Sequence, residues 1–130
     1  MAELAAVRAI VDEFASAAQL PADERARLHV VLDELVTNLA KYGYPAGATG
    51  FAEIELSREG DSLVLEFSDG GAPFDPFQAQ PPLLEGGAGE RDVGGLGLHL
   101  IRSLADSLSY DGSGGRNRLR FVRHLAGRRL

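Results

Sequence analysis

The hydrophobic period of this chain shifts from 3.6 to 2 at two places, and the strands announced there arrive in adjacent pairs. Ala52, Ile54 and Leu56 alternate with Glu53 and Glu55, Glu59-Gly60-Asp61 forms a turn, and Leu63, Leu65 and Phe67 then alternate with Val64, Glu66 and Ser68. Alternation sends successive side chains to opposite faces, so each run reads as a half-buried strand and the short turn joins the two as an antiparallel hairpin. A second hairpin is expected from Ser107 to Asp111, through Gly112-Ser113-Gly114-Gly115, and on from Asn117 to Leu125. Parallel neighbours need a crossover of a dozen or more residues, and neither pair leaves room for one. The chain is thereby directed to an α+β fold, a two-layer sandwich of a mostly antiparallel sheet with helices on one face. A Rossmann-type parallel sheet is disfavoured.

The covering layer comes from three segments of helical period. Leu4, Val7, Ile10, Val11 and Phe14 mark the first, which ends before Gln19-Leu20-Pro21. The second starts near Pro21, whose fixed φ suits a first turn, with Asp23 and Glu24 at the positive helix end. It carries Leu28, Val31, Leu32, Leu35, Val36 and Leu39 and stops around Tyr42-Gly43-Tyr44-Pro45. The third is expected from about Leu96 through Leu100, Ile101, Leu104 and Leu108. Between Asp69 and Gly95 the chain is rich in Gly and Pro without sustained period. Loops this long in compact domains are usually functional or mobile, so a lid is expected from about Ala72 to Gly94.

With 130 residues, no repeat and no linker, residues 1–130 read as a single domain. There is no cysteine, which excludes disulfides, Cys-ligated zinc and a thiol nucleophile. No apolar run approaches the roughly 20 residues of a spanning helix, and the N-terminus lacks a signal-peptide pattern, so a cytoplasmic protein is expected. Thirteen basic residues against nineteen acidic ones give a net charge of −6, which argues against general binding to nucleic acid or anionic membranes. His29, His99 and His124 show no metal-ligand spacing, and no Gly-x-Ser-x-Gly elbow occurs.

Three elements remain that can carry chemistry. Glu34 and Asn38 stand four apart on the second helix, hence on one face and beside the apolar stripe. A carboxylate next to an amide oxygen suits Mg²⁺ bound to phosphates, or a proton acceptor beside a metal ligand; a solvated helix face carries such a pair equally well. Ser68-Asp69-Gly70-Gly71-Ala72-Pro73-Phe74-Asp75-Pro76 follows a strand, where Asp69 either shapes a turn or accepts a hydrogen bond from a ligand amino group such as that of adenine. Val93-Gly94-Gly95-Leu96-Gly97-Leu98-His99 opens a helix, whose unpaired amides and positive dipole end suit phosphate; a flexible hinge reads the same way.

Taken together, Glu34-Leu35-Val36-Thr37-Asn38, Asp69-Gly70-Gly71 with Phe74-Asp75-Pro76, and Gly95-Leu96-Gly97-Leu98 resemble the N box and two glycine boxes of the GHKL superfamily of ATP-binding domains. The Pro73-Phe74-Asp75-Pro76 tail and the Gly-Leu-Gly-Leu-His-Leu-Ile run look most like its branch of bacterial anti-sigma-factor serine/threonine kinases. Tyr42 stands where the N box often has His, and Ala72-Pro73 replace a glycine found in other GHKL families.

The resemblance implies a Bergerat-type, histidine-kinase-like fold with ATP between helices and lid. It also implies Asn38 as the Mg²⁺ ligand, Asp69 as the reader of the adenine amino group, Gly71, Gly95, Leu96, Gly97 and Leu98 around the nucleotide, and Glu34 as general base. The partners it implies are a small anti-anti-sigma antagonist, which is phosphorylated, and a sigma factor, so that transcription is regulated by partner switching. A homodimer is implied as well. The alternative is a nucleotide-gated protein-binding module with little or no kinase activity. The catalytic domain of a sensor histidine kinase would need a helical domain bearing the phospho-accepting His, which this chain lacks.

Overall fold

The computed structural model describes residues 2–40, 50–71 and 93–125, with 2–4 and 93–98 as backbone. Residues 72–92 of the expected lid and Tyr42 lie outside the described residues, whereas Val93 and Gly94, expected to end the lid, are helical. Helix α1 (Ala2–Ala17) and helix α2 (Ala22–Asn38) come first, then strands β1 (Ala52–Glu59) and β2 (Ser62–Asp69), helix α3 (Val93–Leu104), and strands β3 (Ser107–Asp111) and β4 (Asn117–His124). The strands form one antiparallel sheet in the order β1-β2-β4-β3, so the two expected hairpins lie side by side.

Leu63, Leu65 and Phe67 of β2 and Leu119 and Phe121 of β4 point to one face of this sheet. There they form a single core with Val7 and Val11 of α1, Leu28, Val31, Leu32, Leu35 and Val36 of α2, and Ile101 of α3. All the described helical side chains of that core meet the same sheet face, which gives the expected two layers. Among the described residues no helix is long and apolar enough to cross a membrane.

Local chemistry explains the element ends. Pro21 precedes α2, and Asp23 and Glu24 sit in its first turn against the positive dipole end. After α1 the chain reverses through Gln19 at φ 57°, with Leu20 N–H donating to the Ala15 carbonyl and Gln19 N–H to that of Ser16, which satisfies two carbonyls left over at the helix end. Gly60, at φ 62°, takes the first central position of the two-residue β1–β2 turn, where tight hairpins need a positive φ. Helix α3 begins at Val93, earlier than the expected Leu96, so Gly95 and Gly97 lie inside the helix.

Charged contacts tie α1 to α2: Arg8 meets Asp33 at 2.5 Å, and His29 Nε2 meets Asp12 at 2.8 Å. The His29 hydrogen bond is the main reason that the Asp12 carboxyl lies below the usual range. A second set of contacts is buried. Arg123 shares the inward face with Leu119 and Phe121 and is 5% exposed. Its Nε donates to Glu24 Oε1 at 2.6 Å and its Nη1 to the Leu104 carbonyl at 2.7 Å, while Arg27 Nη1 donates to Glu24 Oε2 at 3.0 Å. One guanidinium thus joins the start of α2, the end of α3 and β4.

Removing one partner of such a pair strands the other charge, whereas replacing both with apolar groups does not. Glu24→Ala is expected to lower the unfolding free energy by about 3 kcal/mol, and Glu24→Leu combined with Arg123→Met to recover most of that loss, as measured by urea denaturation.

Candidate functional site

Asp69 is the last residue of β2 and the last of its inward-facing series, so it lies on the helix side of the sheet at the edge of the core. It is buried. Its Oδ1 accepts from Gly71 N–H at 2.9 Å and from Asn117 Nδ2 at 2.9 Å. The first bond is the Asx-type turn that Asp and Gly favour. Both readings of Asp69 are therefore compatible, because one carboxylate oxygen shapes the turn while Oδ2 makes no hydrogen bond among the described residues.

Asn117 faces Asp69 directly across β2 and β4. Its Nδ2 also donates to the Gly71 carbonyl at 3.2 Å, and its Oδ1 accepts from the Tyr110 hydroxyl. Sequence reasoning missed both Asn117 and Tyr110. The available signal was the pairing of the two hairpins: with β2 beside β4, the polar residues that end the two inward-facing series become partners.

On α2, Glu34 is half-buried and Asn38 buried, one turn apart. A fully solvated helix face is therefore not what this pair forms. Asn38 Nδ2 is buried with no hydrogen-bond partner among the described residues. An unmatched buried amide costs about 1–3 kcal/mol, and the group that relieves it must present a complementary polar or ionic atom. With no neighbour to fix which way round the carboxamide lies, it can offer its oxygen to a cation or its NH₂ to a phosphate oxygen. Residues 95–98 form part of the first turns of α3, which packs against α2. The N-terminal amides of an α-helix lack intrahelical acceptors and suit an anion. Glu34 and Asn38 thus share one helix, Asp69 and Gly71 the end of β2, and Gly95, Leu96, Gly97 and Leu98 the start of a neighbouring helix.

Residues 1–123 match the family described as the histidine kinase-like ATPase domain. The chain belongs to this family. It is 30% identical over 102 residues to the serine/threonine-protein kinase BtrW of Bordetella bronchiseptica, a match covering 78% of this chain and 72% of that protein. Among solved structures it resembles the Acinetobacter baumannii histidine kinase AdeS, with TM-score 0.56 and 18% identity over 78% of this chain. It also resembles the Erythrobacter litoralis EL346 blue-light activated histidine kinase, with TM-score 0.58 and 17% identity over 83% of this chain. The matches cover 47% and 32% of those two chains, and at such identities the likeness is one of fold. Membership in an ATPase-domain family implies ATP as the nucleotide.

A residue kept for a ligand at the expense of the free fold has a recognisable signature. Asn38→Leu, close in volume and without the unmatched amide, is expected to leave the ligand-free protein equally stable or more stable by about 1 kcal/mol, and to weaken ATP binding at least tenfold. Thermal melts of the free protein and calorimetric titration with Mg-ATP provide the two readouts.

Proposed function

We propose that this histidine kinase-like ATPase domain is a cytoplasmic serine/threonine protein kinase of the anti-sigma-factor type. In this reading it binds Mg-ATP, phosphorylates a small anti-anti-sigma antagonist and holds a sigma factor in alternation with it, so that transcription is regulated by partner switching. The observation that carries the protein acceptor is the 30% identity to a serine/threonine-protein kinase over most of both chains.

The residues have distinct parts. Asp69, with Oδ1 already engaged, accepts the exocyclic amino hydrogen of adenine at Oδ2, while Gly71 brings the backbone close to the base. Asn38 would hold Mg²⁺ through its amide oxygen, a hard neutral donor of the type this cation takes alongside phosphate oxygens and water. Once bound, the cation would neutralise charge on the β- and γ-phosphates. The unbonded amides of the first turn of α3, Gly95 N–H among them, bind phosphate oxygens along the helix dipole, while Leu96, Gly97 and Leu98, whose amides are engaged inside the helix, border the nucleotide. Glu34, one turn from Asn38, takes the proton of the incoming Ser or Thr hydroxyl as that oxygen attacks the γ-phosphorus and the bond to the β–γ bridging oxygen breaks, releasing ADP. Phosphoryl transfer depends chiefly on positioning and charge stabilisation, and this assignment needs no covalent enzyme intermediate.

Glu34→Gln keeps size and polarity but cannot accept the proton. Transfer of labelled phosphate to a partner recovered in Mg-ATP pull-downs is expected to fall by about 10²–10⁴-fold with ATP affinity nearly unchanged. Undiminished transfer in the variant would refute the base role. A parent protein that binds Mg-ATP and its partner without transferring label would instead be a nucleotide-gated binding module.

A further inference from the structure

We propose that Asn117, held in place by Tyr110, is the positioning residue that aims Asp69 and thereby sets the preference for a 6-amino purine over a 6-oxo purine. The inference rests on the nucleotide-binding reading of Asp69 and adds a determinant on β3 and β4, away from the three motifs.

The orientation of the Asn117 amide follows from its neighbours. A carboxylate oxygen and a backbone carbonyl only accept, so the NH₂ must face Asp69 Oδ1, at 2.9 Å, and the Gly71 carbonyl, at 3.2 Å. Its oxygen then faces β3, where the Tyr110 hydroxyl donates to it. With Gly71 N–H as second donor, Oδ1 is held from two sides and the carboxylate plane is fixed. Oδ2 is left to meet the ligand as an acceptor. An ionised acceptor in that place favours a hydrogen-bearing amino group and opposes a carbonyl oxygen, so fixing its direction converts a buried charge into base discrimination.

The β3–β4 turn is built around the Tyr110 hydroxyl. A Cβ at Gly112 would lie 2.6 Å from Tyr110 Oη and 3.1 Å from its Cζ, so glycine at 112 leaves the phenol its place. Next to it, Asp111 accepts from Ser113 N–H at 2.9 Å, the leading reason its carboxyl lies below the usual range, and this bond holds the turn.

The test is titration calorimetry of the full chain with Mg-ATP and with Mg-ITP, which differ at the 6-position and in the N1 proton. The ratio of the two affinities cancels effects common to the triphosphate. The parent is expected to favour ATP by at least about tenfold, and Asn117→Ala to reduce that ratio by about an order of magnitude. Tyr110→Phe and Gly112→Ala, which leave Asn117 in place but free its amide, are expected to reduce it by about threefold. In an Asp69→Asn background, Asn117→Ala should change the ratio by less than about twofold, because a residue that acts through Asp69 has nothing left to aim; a general structural role would leave the effects additive.

Should Asn117→Ala not fold, the Tyr110 and Gly112 variants carry the same test. An ATP preference untouched by the variants that fold, or additive losses in the cycle, would overturn the positioning role and leave the nucleotide reading intact. A parent that binds both nucleotides equally would overturn the adenine-reading role with it, and one that binds neither would overturn the nucleotide reading itself.

Discussion

The register between β2 and β4 governs both the core and the site. Leu65 lies opposite Phe121 and Phe67 opposite Leu119, so the two central strands present a matched apolar strip to the helices. A slip of one residue would turn one strand's half of that strip outward and bring either Glu66 or Arg118 and Arg120 in against the helices. The same register puts buried polar groups at each end of the inward face, with Arg123 beside Leu63 at one end and Asp69 beside Asn117 at the other. These ends resolve their buried charge differently. Arg123 is neutralised by Glu24 and caps the Leu104 carbonyl, leaving that end closed. Asp69 is hydrogen-bonded at one oxygen only by neutral donors, and its charge has no cationic partner among its described hydrogen bonds. One end is thus a structural lock, and the other is suited to a ligand that brings its own donor.

Helix α2 repeats this division along its length. Its first turn, through Glu24, belongs to the lock; its middle supplies Leu28, Val31, Leu32 and Leu35 to the core; its last turn carries Asn38 with an unmatched amide. Apolar packing alone cannot satisfy such an amide. Beyond it the ladder loosens, with Leu39 N–H shared between the Leu35 and Val36 carbonyls and a π turn at Leu39 and Ala40, the kind of local departure often found at functional sites. A single helix therefore carries stability at one end and an unsatisfied polar group at the other.

How much of this was legible in the sequence follows the range of the interactions involved. The two hairpins, their turns and the apolar stripe of α2 are set by local period and by Gly and Asp at turns, and they stand where those signals put them. The start of α3 was displaced because glycines were read as preceding a helix that in fact contains them; helix propensity is a weak prior that tertiary packing overrides. Arg123 follows Arg116, Arg118 and Arg120 in a stretch rich in arginine. Its parity with Leu119 and Phe121 already placed it inward, but its partner Glu24 is 99 residues away, and no local pattern announces such a pair. Asn117 was overlooked for the same reason, as its meaning depends on which hairpin edge lies beside β2. The candidate residues Glu34, Asn38 and Asp69 were found through short motifs, whereas the groups that hold Asp69 are visible only in the assembled sheet.

The polarity of α3 links the two ends of the molecule. An α-helix carries partial positive charge at its N-terminus and partial negative charge at its C-terminus, and each end is best met by the opposite sign. At the C-terminus Arg123 donates to the Leu104 carbonyl, and Arg102 lies in the last turn. At the N-terminus the described first turn, residues 93–96, carries no charged residue. In the proposed reading that positive end meets the phosphate anion. A chain with net charge −6 can in this way offer a local welcome to a triphosphate, because the attraction comes from oriented backbone amides close to the ligand, while the surface charges act through water and salt. The ion pair at the far end of α3 holds against β4 the helix whose first-turn amides the proposed reading assigns to phosphate.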